Sequence, residues 1–144
     1  MLTWSKLVSQ EFSEIDLGDA RLEKRCLLLA AQLSRQPDKS LPQACGTWGD
    51  TKAAYRFFSN ERVTREKLLE PHVGQTVKRS SERASILAVQ DTTYFSMGQH
   101  QATEGLGSIG GPKPAHGFVA HSALAICSDS GDILGLLHQE VWAR

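Results

Sequence analysis

The sequence predicts an α+β protein, with a helical segment over residues 1–83 and a strand-rich segment over residues 84–144. Three observations carry this prediction. In "DARLEKRCLLLAAQLSRQ", Leu22, Cys26, Leu29 and Leu33 recur at i, i+4, i+7 and i+11, one stripe of a helix. The runs "FVAHSALAIC" and "ILGLLHQEVW" flank the turn "SDSGD" as two hairpin strands do. The apolar run at residues 86–89 reads as a short buried strand that delivers Asp91 at its end.

Taken in order, "TWSKLVSQEF" predicts a short helix with Thr3 as its cap. The next helix starts at Asp19, a good N-cap, with Glu23 near the positive end of the helix dipole. Pro37 and Asp38 end it. "SLPQACG" forms one helical turn. "DTKAAYRFFSN" follows with Asp50 as cap, Ala54, Phe57 and Phe58 inward, and Lys52, Tyr55 and Arg56 on the opposite face. The segment "VTREKLLEPHVGQTVKRSSER" is capped by Thr64, and Pro71 starts a new helix from its first turn. Val73 and Val77 of that helix face inward, leaving Lys78, Arg79 and Arg83 outside. "GLGSIGGPKPAHG" is a flexible loop between the first of three strands and the hairpin.

The chain has 144 residues, enough for one domain or two small ones. Its net charge of zero hides an asymmetry. Residues 1–83 carry fourteen Lys/Arg against eleven Asp/Glu, and residues 84–144 carry two against five. The first segment therefore suits a polyanion and the second a cation, although three charges is ordinary variation. Cys26, Cys45 and Cys127 are odd in number and in no CxxC pattern, so neither a disulfide framework nor a zinc site follows. The opening residues lack a signal-peptide core, and no apolar run approaches the ~20 residues of a membrane span. The expectation is a cytoplasmic protein with no membrane association.

Two basic groups are candidates for nucleic-acid contact: Arg21, Lys24 and Arg25 on one helix, and Lys52, Tyr55 and Arg56 on another. Phosphates call for cations, and an interleaved aromatic can stack on a base or sugar. Solvated basic faces look the same in sequence. Asp91 also has two readings. Carboxylates hold pairs of Mg²⁺ about 3.5–4 Å apart in phosphoryl-transfer sites, and an aspartate beside threonines also caps turns. His100, His116, His121 and His138 are scattered, with His121 and His138 brought near one another by the hairpin. "GLGSIGG" lacks the Lys-Ser/Thr of a P-loop.

Five motifs occur in order: "IDLGDARLEKR", "DTKAAYRFFSNERV", "LAVQDTTYFS", "GLGSIGG" and "GLLHQEVWAR". Together, over nearly the whole chain, they resemble the amino-terminal portion of a bacterial insertion-sequence DDE transposase of the insertion-sequence-four family, transposon-five type. The resemblance implies a helical N-terminal DNA-binding domain over residues 1–83, then the first three strands of an incomplete ribonuclease-H-like catalytic domain over residues 84–144. It implies double-stranded DNA, the transposon ends, as partner, and Mg²⁺, replaceable by Mn²⁺, as cofactor of the complete enzyme. Asp91 matches the first of three metal-binding acids. Arg21 and Arg25 match the "LGD-x-R-x-x-x-R" pattern, and Tyr55 and Arg56 the "AYRF" pattern.

The other two acids of that family would lie beyond Arg144. Asp129 and Asp132 in the hairpin turn, and Glu140, do not replace them. The expectation is a truncated cut-and-paste transposase that binds end DNA and is not catalytically competent alone. The alternatives are a non-catalytic DNA-binding inhibitor, acting beside a full-length transposase chain, and an inactive remnant.

Overall fold

The computed structural model of the chain describes residues 4–98, 102–110 and 115–143. Thr3, His100 and residues 111–114 of the glycine-rich loop lie outside the described residues. The elements are α1 (Trp4–Glu11), α2 (Ala20–Arg35), α3 (Leu41–Cys45), α4 (Trp48–Phe58), α5 (Arg65–Ser81), β1 (Ile86–Ser96), β2 (Gly107–Ser108), β3 (His116–Cys127) and β4 (Ile133–Trp142). They form two compact units, Met1–Gln75 and Thr76–Arg144, so the division falls inside α5 rather than at the charge break near residue 83.

In the first unit α2 starts as its sequence predicts. Asp19, in extended backbone, accepts the Arg21 N–H at 2.8 Å. Just before it, the Glu23 carboxylate accepts the Leu17 N–H at 3.3 Å, and Arg62 donates to the Gly18 carbonyl at 3.1 Å. Gly18 makes this turn with φ +68°, a conformation L side chains resist. These bonds drive Leu17 fully inward. It joins Cys26, Leu29, Cys45, Ala54 and Phe57 in one core, with Leu22, Leu41 and Val63 packed around it. The predicted α2 stripe is buried at its middle, Cys26 and Leu29, with Leu22 and Leu33 half-buried at its ends, because residues three and four apart stack on one helix face.

Two expected helix boundaries move. The cap of α4 is Thr47, whose Oγ1 accepts the Asp50 N–H at 3.1 Å; Asp50 sits in the first turn instead. A carboxylate is favourable at either position, because both lie at the positive end of the dipole. Pro71 does not open a new helix; α5 runs through it unbroken. The backbone bond lost at a proline is offset by ties on either side of this stretch. Lys67 N–H donates to the Thr64 cap at 3.3 Å, His72 Nδ1 meets Glu11 Oε1 at 2.6 Å, and Gln75 donates to Ser13 Oγ at 3.3 Å.

The second unit is an antiparallel sheet with β3 at its centre. β1 pairs along one side in an unbroken register, Ile86 opposite Cys127 through Ser96 opposite Gly117. β4 pairs with β3 as the predicted hairpin, with register shifts at Ala123/Leu124 and Ala125/Ile126. The expected three strands become four among the described residues, because Gly107–Ser108 of the glycine-rich loop pairs with Gly117 and His116.

One end of one sheet face is covered. Ala125, Cys127 and Leu134 form its small core. Thr76, not Val77, is the fully buried residue of this part of α5, and Val77 is exposed. Arg79, expected outside, donates from Nε to the Leu134 carbonyl at 2.7 Å. Gly135 lies beneath them with φ +141°, where a Cβ would collide with Thr76 Oγ1. The strand expected to be buried is not: Leu87 and Val89 are 54% and 45% exposed, and Asp91 is exposed as well. Four apolar residues in a row satisfy the pattern of a two-faced buried strand, but burial needs a neighbour on each face.

Candidate nucleic-acid interface

The basic residues separate by role once folded. Arg21 lies at the surface, its side chain 93% exposed, and its guanidinium returns to Asp19 at 3.2 Å. That hydrogen bond holds the Asp19 carboxyl below its usual range and raises Arg21. Lys24, one position beyond Glu23, is exposed. Arg25 is different. Only 31% of its side chain is exposed, and Nη1 donates to Asp50 Oδ1 at 3.2 Å, joining α2 to the first turn of α4. Part of the predicted contact set is thus already engaged within the protein.

Lys52, Tyr55 and Arg56 are all exposed on α4, opposite the buried Thr51, Ala54 and Phe57. Neither Lys52 nor Arg56 has an ion-pair partner among the described residues. Their face follows from the helical period: Ala54 and Phe57 turn into the core, which carries positions 52, 55 and 56 outward. Trp48, at the start of the same helix, is 77% exposed. Trp48 is not among the residues expected from sequence to contact nucleic acid, although its spacing of four to Lys52 and seven to Tyr55 places it on their face.

Asp91 stands elsewhere, in the second unit. It is not at a strand end but in the middle of β1, opposite Ser122 of β3, which in turn faces Gln139 of β4. Thr93 Oγ1 donates to its Oδ2 at 3.4 Å, and Gln139 donates to Ser122 Oγ at 2.9 Å. By strand alternation Thr92, His121 and Glu140 point to the other face. There His121 is held between Thr92 Oγ1 at 2.8 Å and Gln90 Oε1 at 3.1 Å, and His138 sits diagonally across the ladder. Asp132 accepts from Ser130 Oγ in the hairpin turn. No group of three or more His, Cys, Asp or Glu able to hold a metal exists among the described residues. Asp91 with Thr93 and Ser122 supplies one anionic donor, where a pair of Mg²⁺ needs several carboxylates. The residues present do not by themselves fit the implied cofactor.

No helix among the described residues is long and apolar enough to cross a membrane. Residues 4–63, which span α1 to α4 with their exposed cations and aromatics, match the family model described as transposase DNA-binding.

Proposed function

We propose that this protein is a transposon-end-binding protein whose first unit docks on double-stranded DNA through the exposed faces of α2 and α4. The observation that carries the reading is the family match over residues 4–63, coinciding with the exposed cations Lys52 and Arg56, which have no ion-pair partner among the described residues. Lys24 and Arg21 add charge from α2, and Arg25 fixes α4 against α2 through Asp50. The finer assignment is the amino-terminal portion of an insertion-sequence DDE transposase of the transposon-five type, with a ribonuclease-H-like second unit. The motif order supports it, as does the antiparallel ladder that carries Asp91 across from β3.

In that reading Asp91 is one acid of a magnesium site whose remaining ligands are not among the described residues. These 144 residues by themselves are then expected to bind ends without cutting them. The test is binding of the chain to duplexes carrying its cognate ends across a salt series. Log affinity is expected to fall linearly with log salt, by about 0.9 per neutralised phosphate. Lys52→Ala and Arg56→Ala are each expected to lower that slope by about one phosphate, and Asp91→Ala to leave binding unchanged. Salt-insensitive or absent binding refutes the reading. Metal-dependent cleavage of the ends that Asp91→Ala abolishes refutes the non-catalytic part alone.

A further inference from the structure

We infer that Trp48 is a DNA-contacting residue of α4, supplying the salt-independent share of affinity beside the salt-dependent share of Lys52 and Arg56. This rests on the DNA-binding reading of the first unit. A tryptophan carries more apolar surface than any other side chain and is usually well covered; this one is 77% exposed. Its backbone, by contrast, is firmly held. Thr47 Oγ1 accepts the Asp50 N–H at 3.1 Å and donates to Asp50 Oδ2 at 2.9 Å. The Thr47 carbonyl accepts both the Thr51 N–H, at 3.0 Å, and the Thr51 hydroxyl, at 2.9 Å. Asp50 is then tied to Arg25 of α2 at 3.2 Å. A mostly exposed aromatic ring on a fixed backbone is pre-organised for a partner, because little backbone order remains to be lost on binding.

The chemistry of the partner follows from what shares the face. At 3.6 residues per turn, positions 48, 52, 55 and 56 fall within about 100° of the helix surface. They span about 12 Å along it, comparable with the width of a major groove. An aromatic, a cation, an aromatic and a cation thus alternate on one exposed strip, while the acid of this helix, Asp50, is turned away into its pair with Arg25. A purely apolar partner would leave Lys52 and Arg56 unpaired, and a small anion would leave two rings bare. A nucleic acid offers phosphates to the cations and sugar or base surface to the rings.

The experiment is fluorescence anisotropy of a labelled end duplex with the full chain, in a salt series, for wild type, Trp48→Ala, Trp48→Phe and Lys52→Ala. Trp48→Ala is expected to weaken binding about tenfold, the size of one stacking contact, with the salt slope unchanged. Trp48→Phe recovers most of that loss. Lys52→Ala lowers the slope by about one phosphate. Melting curves are expected to match wild type, since the indole is mostly in solvent. Trp48→Ala binding like wild type, or losing affinity only through a changed slope, overturns the role of Trp48 while the DNA-binding reading stands. Wild type failing to bind duplex at any salt overturns both.

Discussion

Among single residues, Thr47 and Cys26 have the clearest consequences. Thr47 caps α4 and, through Asp50, reaches the bridge to Arg25. Thr47→Ala is expected to destabilise the first unit by about 1 kcal/mol, typical for an N-cap. For a unit of this size that lowers the melting temperature by about 4–8 °C. Arg25→Ala is expected to do less, about 0.5 kcal/mol, because both partners of its pair remain partly in solvent. Chemical denaturation of the two variants separates the effects. Cys26 is buried beside Leu29, and burial pushes its thiol up to about 11. The unfolded thiol ionises near the ordinary cysteine value of 9.0. Between those values the unfolded state holds fewer protons, so stability falls as pH rises, and below about 9 the effect is fully favourable. Melting the protein from pH 7 to 10.5 is expected to show a decline above pH 9 that is smaller in Cys26→Ala, measured against that variant's own value at pH 7.

At the level of elements, two glycines set the sheet. At Gly135 the chain adopts φ +141°, and a Cβ there would meet Thr76 Oγ1 and, at 3.0 Å, Arg79 Nη2. Gly135→Ala therefore both strains the backbone and pushes the last turns of α5 off β4. A cost of about 2–3 kcal/mol is expected, near the upper range for overpacking, measured by urea unfolding. At Gly117, β3 passes so close to β1 that a Cβ would overlap the Phe95 carbonyl. The stacked Phe95 and Phe118 rings, 4.7 Å apart, lie beside that crossing. Helix starts were legible where a side chain caps its own helix, as at Asp19 and Thr64. The α4 cap was misplaced by three residues because Thr47 and Asp50 bond to each other and either can serve. The pairing of Gly107–Ser108 left no trace in a two-residue stretch, since its partners, Gly117 and His116, are ten and eight positions away.

Each unit of the whole molecule has its own balance. In the first, apolar side chains converge on Leu17 and Phe57. In the second, β1 is bonded to β3 on one side, and Leu87, Val89 and Phe95 share its open face with Asp91. Among the described residues β1 is an edge strand of eleven residues with one charge and no proline, a template for further strand pairing. Sedimentation of the full chain is expected to show association that grows with concentration, and Val89→Lys to reduce it by placing a cation on the exposed face. A monomer up to high concentration, with Val89→Lys indistinguishable from it, would contradict this.

The sequence by itself determined the helical and strand segments, the hairpin, the α2 stripe and the basic character of α2 and α4. All of these depend on spacing within one element, which the helical and strand periods impose directly. Only the tertiary structure decided that Arg25 bridges to Asp50, that Thr76 and Arg79 turn onto the sheet, and that Asp91 stands mid-strand on an open face. Those outcomes depend on which element lies beside which. A side chain's freedom to meet a ligand is what its neighbours leave, and neighbours distant in sequence leave no mark in local spacing.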